Sequence, residues 1–177
     1  MPTYISLLRG INVSGQKKIL MADLKLLYES LGFQSVTTYI QSGNVVFNCH
    51  KNETQKLERL IFDKIKKEYG FEVPNLILTP TDIEQALTNN PYPNVEKPYF
   101  IFLSALPKPA NSKALQQYSF ENEFYELKEK VVYAHFPNGA GRAKMTLKFF
   151  EKHLKVVGTT RNLRTTQRLL EMAQNLS

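Results

Sequence analysis

Four lysines, Lys144, Lys148, Lys152 and Lys155, recur at intervals of four, four and three residues, the spacing that gathers side chains on one stripe of an α-helix. Leu147, Phe150 and Leu154 form a second, apolar stripe in the same stretch, so the helix has one face for a core and one strongly positive face. Ahead of it, Pro137 to Arg142 supplies Gly139 and Gly141; backbone amides at a helix N-terminus, with Arg142 and Lys144 beside them, accept an anion. Further on, Arg161, Arg164 and Arg168 approximate one face of a closing helix that begins near Thr160 to Asn162, with Asn162 suited to cap it. The chemistry these residue types offer is neutralisation of phosphate. The alternative is a solvated, soluble face.

Two segments near the N-terminus also carry candidate ligand groups. In Gly10 to Lys18 an apolar strand feeds a glycine-containing loop with Asn12, Gly15, Lys17 and Lys18. The spacing is not that of a nucleotide-hydrolysing loop, because Gln16 and Lys17 follow Gly15 where lysine and a magnesium-binding hydroxyl are required. Arg9 directly follows Leu7-Leu8; if buried, it requires a carboxylate, backbone carbonyls or a bound anion. In Tyr39 to Asn44, period two puts Tyr39 and Gln41 on one face of a strand, with Asn44 just beyond the turn. Ser42, Gly43 and Asn44 also read as turn chemistry alone. With the first and third strands taken as parallel neighbours, the loop after Arg9 and the Ser42-Gly43 turn lie at opposite ends of the sheet, ~23 Å apart.

Other chemistries find little support. His50, His135 and His153 have no metal-ligand spacing with one another or with Cys49, and no carboxylate cluster or nucleophile signature is present. No metal and no cofactor is expected. Cys49 and His50 are adjacent, hence on opposite faces of a strand, and Cys49 reads as a structural residue. A single cysteine suits a reducing, cytoplasmic compartment. The longest nearly unbroken apolar run, Tyr99 to Leu106, is too short to span a bilayer. The formal net charge is +7, and residues 130–177 hold nine Lys/Arg against only Glu151 and Glu171. That asymmetry favours an anionic ligand or nucleic acid as partner, although neither Leu7 to Gly10 nor Asn44 to Asn48 matches the aromatic strand motifs of RNA-recognition modules.

Hydrophobic period and punctuation define the elements that must position these groups. Strands are expected at 4–9, 36–41, 44–48 and 76–79, with helices at 22–31, stopped by Gly32, and 56–69, stopped by Gly70. A linking helix at 81–89 and a proline-rich connection at 90–98 follow. The second half repeats the order: strands at 99–105, 123–128, 131–136 and 155–157, with helices at 112–117, 144–154 and 163–176. The fold class is α+β: two ferredoxin-like βαββαβ halves with antiparallel sheets, plus a C-terminal helix. The expected domains are residues 1–90 and 91–177.

The run LLRGINVSG from Leu7, Met21-Ala22-Asp23-Leu24, Leu31-Gly32-Phe33, TYIQSGNVVF from Thr38 and Thr160-Arg161-Asn162 closely resemble the bacterial domain of unknown function 1697 family, in the expected order over nearly the whole chain. The resemblance implies an α+β fold with ferredoxin-like substructure and assigns no catalytic residue. The chain departs from the family pattern at Leu163, where tryptophan commonly stands, at Ser14, a frequent glycine, and at Ala143, usually serine. Three classes of function stay open: a binding module for a phosphate-bearing ligand (nucleotide, sugar phosphate or nucleic acid), a small-molecule enzyme using Arg9 or Arg161, and a protein-interaction scaffold.

Overall fold

The computed structural model describes residues 1–51 and 53–176. The chain divides into two compact units, Met1–Glu84 together with the segment from Arg168, and Gln85–Gln167. Each contains a four-stranded antiparallel sheet.

In unit 1 the order is β1 (Thr3–Leu8), α1 (Met21–Ser30), β2 (Gln34–Tyr39), β3 (Asn44–Asn48), α2 (Thr54–Tyr69) and β4 (Asn75–Leu78). The sheet runs β2-β3-β1-β4, the ferredoxin-like arrangement. Leu57, Ile61 and Ile65 recur every fourth residue on α2 and are all fully buried, so this helix forms by committing one stripe to the core. It stops at Gly70, whose φ of 76° continues the chain through the left-handed region. Leu24, Leu27 and Tyr28 are the buried face of α1. Both helices close over Tyr4, Leu8, Val45 and Phe47 of the central strands. Phe47 is the centre of this core, 4.4 Å from the stacked Phe33 and 5.6 Å from an edge-on Tyr28. The buried Tyr28 hydroxyl is satisfied by Ser6 Oγ at 2.8 Å, and burial holds the phenol far above its usual range.

The linking helix α3 (Pro80–Thr88) leads to unit 2, which comprises β5 (Tyr99–Leu103), α4 (Pro109–Leu115), β6 (Phe124–Lys128), β7 (Val131–His135), α5 (Leu147–Leu154) and β8 (Gly158–Asn162). Its sheet repeats the same order, β6-β7-β5-β8. Ile101, Leu103, Val132 and Ala134 face Leu115, Met145, Phe150 and Leu154 in its core. Helix α6 (Leu163–Leu176) closes the chain, and Asn162 caps it by accepting from Thr165 N at 2.8 Å. No helix among the described residues is long and apolar enough to cross a membrane.

Two of the boundaries that differ from the sequence reading bear on the basic residues, each for a local reason. The last strand is residues 158–162 rather than 155–157, because Lys155 turns left-handed (φ 59°) as the C-cap of α5 and the chain becomes extended only afterwards. Arg161 is therefore a strand residue, opposite Phe100, and shares no helical face with Arg164 and Arg168. Helix α5 starts at Leu147, not Lys144, because Thr146 caps it by accepting from Phe149 N and the preceding two residues are held by Glu123. Only Lys148 and Lys152 of the four lysines lie on the helix.

Candidate functional site

The candidate residues fall into two groups, one in each unit. In unit 1 the expected separation of the Arg9 loop and the Ser42-Gly43 turn is overturned. β1 and β3 pair antiparallel, with Leu7 opposite Asn44, so the end of β1 meets the start of β3. Leu8 N donates to Gly43 O at 2.8 Å, and Asn12 Nδ2 donates to Gln41 O at 2.9 Å. The loop and the turn form one end of the sheet.

Within that end the side chains divide by role. Asn12 is a clamp: its Nδ2 also donates to Ile19 O and its Oδ1 accepts from Ile19 N, both at 2.9 Å, so the two amide hydrogens are spent on holding the loop. Asn44 is fully buried and donates to Tyr39 O and Ser42 Oγ. These bonds are the turn chemistry expected of an asparagine there. Gln41 does not share a strand face with Tyr39, because Ile40 adopts φ 51° and breaks the alternation; β2 ends at Tyr39 and Gln41 lies exposed in the turn. Arg9 is half-buried and its backbone N donates to Pro74 O. Lys18 is exposed, whereas Lys17 donates to Glu72 O at 2.6 Å. Arg168 of α6 pairs with Glu171 at 2.6 Å.

Left-handed backbone is concentrated here. Gly10, Asn12, Ser14, Gly15, Lys17, Ile40 and Gly43 all have φ between 46° and 87°. Ile40 is the costliest of these, since a β-branched residue in that region is a steric outlier. Ser14, at a position where the family pattern often has glycine, stands at φ 50°, which accounts physically for a glycine there.

The second group lies in unit 2. Arg142, Lys144, Lys148, Lys152 and Lys155 are all exposed. The one acid in that stretch, Glu151, accepts from Gly158 N at 3.1 Å. Beside Lys155 an open cleft of ≈ 390 Å³ is lined by Ser104, Ala105, Glu151, Lys155, Val156 and Val157. The backbone anion cradle expected before α5 is already filled. Glu123 accepts from Lys144 N at 2.8 Å and from Met145 N at 2.9 Å, while Gly139 N and Arg142 N donate to Phe136 O and Gly139 O. The protein's own carboxylate thus takes the place reserved for an anion, and side chains rather than amides are what this surface offers.

Arg164 is exposed on α6, and Asn162 is spent as its cap. Arg161 donates to Thr160 O at 2.9 Å, and burial pushes its guanidinium down to about 10. The sheet face opposite the helices carries Phe100, Phe102 and Tyr133, the position where RNA-recognition modules stack bases. All three are buried here, and Tyr133 Oη donates to Ala86 O at 2.8 Å. That face is closed to a ligand. Cys49 is buried, its Sγ accepting from Lys51 N, and among the described residues no three His, Cys, Asp or Glu side chains assemble a metal site.

Sequence reasoning assigned no role to Glu123, Tyr118 or Phe149 and weighed His153 only as a metal ligand. Phe149 and His153 stand at i, i+4 beside Lys148 and Lys152, a signal available from helical spacing. Tyr118 lies in the loop after α4, its ring 4.4 Å from His153, and nothing in the neighbouring sequence anticipates that contact.

An α+β protein of two ferredoxin-like units, with a basic exposed segment in the second, is the class these features define. The chain belongs to the family described as protein of unknown function (DUF1697), whose model matches residues 1–133. A comparison with solved structures finds similarity to a conserved bacterial protein from Streptococcus pneumoniae, at 23% identity and a TM-score of 0.76, covering 97% of this chain and 98% of that one. A comparison with curated proteins gives no match.

Proposed function

We propose that this protein binds a phosphate-bearing ligand, a nucleotide, sugar phosphate or nucleic acid, through the exposed cations of residues 142–155. The observation that carries the reading is the balance of charge in that stretch: five exposed cations against a single acid, Glu151, which is turned into the backbone at Gly158. Unit 2 as a whole holds twelve Lys/Arg against six Asp/Glu, and so carries most of the net +7. Clustered cations attract a polyanion over several ångströms and release its counterions on contact. A cytoplasmic setting belongs to the same reading, since a free thiol at Cys49 suits a reducing compartment.

The test is retention on immobilised heparin across a salt gradient. The protein is expected to be held at low ionic strength and released progressively as salt screens the contact. Passage through the column without retention at low salt would leave these lysines as a solvated face and end the proposal.

A second reading is supported by the left-handed residues around Asn12 and Gly43, because backbone strain concentrates at ligand sites. It is a small-molecule site at the Gly43 end of unit 1, with Arg9, Lys18 and Gln41 as its polar groups.

A further inference from the structure

Three aromatic side chains gather beside the basic helix of unit 2. The Tyr118 ring lies 4.4 Å from His153 and 5.5 Å from Phe149, and Phe149 lies 4.6 Å from His153. Tyr118 is 44% exposed, while Phe149 and His153 are half-buried. The chain reaches Tyr118 just after α4, where its N donates to Leu115 O. On α5 the aromatic pair Phe149 and His153 follows the lysine pair Lys148 and Lys152 by one residue, so the two rows run side by side along the helix. Phe150 and Leu154 are buried in the core, so the lysine row points away from it and the Phe149–His153 row lies between the two, with Phe149 packed against the core.

A row of cations flanked by an exposed tyrosine ring that rests on His153 and Phe149 matches the two faces of a single nucleic-acid strand. Phosphates take the cations, and unpaired bases stack on the rings without regard to sequence. A sugar phosphate or a bare polyanion uses only the first row. The sheet face that stacks bases in RNA-recognition modules is closed here by burial of Phe100, Phe102 and Tyr133, so the helix side is where an unpaired base meets an open ring.

We infer that the phosphate-bearing ligand is a single-stranded nucleic acid, with a base stacked on Tyr118 beside His153 and the adjacent phosphates on Lys148 and Lys152. This inference rests on the phosphate reading above. The chain contains no tryptophan, so Tyr118→Trp installs a single reporter at the proposed stacking position.

The experiment titrates the full chain and its Tyr118 variants with two fluorescently labelled oligonucleotides of equal length, oligo-dT and the same backbone made abasic. Oligo-dT is expected to bind the unmodified protein more tightly by roughly tenfold or more, the worth of at least one stacked base. Tyr118→Ala should bring the two affinities together while leaving abasic binding unchanged, and Tyr118→Trp should keep the preference and show fluorescence quenched by oligo-dT alone. Equal binding of the two strands, with no quenching, would overturn base stacking and leave the phosphate reading intact. Binding of neither strand at low salt would overturn both. The tryptophan variant reads the contact even if the alanine variant fails to fold.

Discussion

Gly43→Ala is expected to destabilise the protein by about 2–5 kcal/mol, the sum of a left-handed residue gaining a Cβ and of overpacking in a filled core. Gly43 sits at φ 87°, and a Cβ there would lie 2.7 Å from Ile11 Cδ1 and 2.8 Å from Leu8 Cβ. Leu8 Cβ cannot swing aside. It is fixed to β1 backbone whose N donates to Gly43 O, so relief of the clash requires the strand or the turn to move. Moving either pulls on Asn12, which bridges Gln41 to Ile19. Gly32 supplies the control: its φ is 84°, nearly the same, but no atom lies within 4 Å of the position a Cβ would occupy. Gly32→Ala should therefore cost only the backbone component, about 1–2 kcal/mol. Urea unfolding of the two variants checks the comparison. Equal midpoints would mean that close approach at Gly43 contributes nothing.

The second large effect is on binding. Replacing Lys144, Lys148 and Lys152 together by glutamine should weaken duplex DNA binding and flatten its salt dependence. Each phosphate neutralised on a duplex contributes ~0.9 to the slope of log K against log salt, so loss of three contacts lowers the slope by ~2.7. A duplex is the appropriate probe because its bases are stacked and only its phosphates are on offer. Stability should barely change. Lys144, Lys148 and Lys152 are exposed, none forms a salt bridge among the described residues, and Phe150, Leu154 and Met145 hold the segment from the inside. Thermal unfolding of the triple variant separates the two effects. An unaltered slope would place the phosphate contacts on other residues.

What the sequence discloses of the fold is whatever local pattern decides. Helix α2 is legible because Leu57, Ile61 and Ile65 repeat at helical spacing and Gly70 ends it; the capping role of Asn162 is legible because an N-cap is a one-turn interaction. The direction of strand pairing is less local, and it decides the candidate site. A helical crossover brings β2 back parallel to β1, and the hairpin then reverses β3, so β1 and β3 must be antiparallel. Treating them as parallel separates Arg9 from Gln41, whereas the structure joins their loops through Asn12. Residues that act through a distant partner are illegible in the same way. Glu123 reaches Lys144 and Met145 across a separation of 21 and 22 residues, and no spacing rule in the sequence anticipates a carboxylate filling that cradle. The lysines of α5, by contrast, are visible at once. Spacing fixes their common face, while the structure trims the stripe to Lys148 and Lys152 because Glu123 and Thr146 delay the helix.

The measurement that bears most directly on the central claim is a two-dimensional amide NMR titration of the full chain with a short polyphosphate, at low salt and fixed pH. The account predicts progressive shifts at residues 142–155, largest around Lys148 and Lys152, with the signals of Gly10–Leu20 and Ile40–Gly43 unmoved. Shifts confined to those two unit 1 segments would contradict it and move the ligand to the strained loop end beside Arg9.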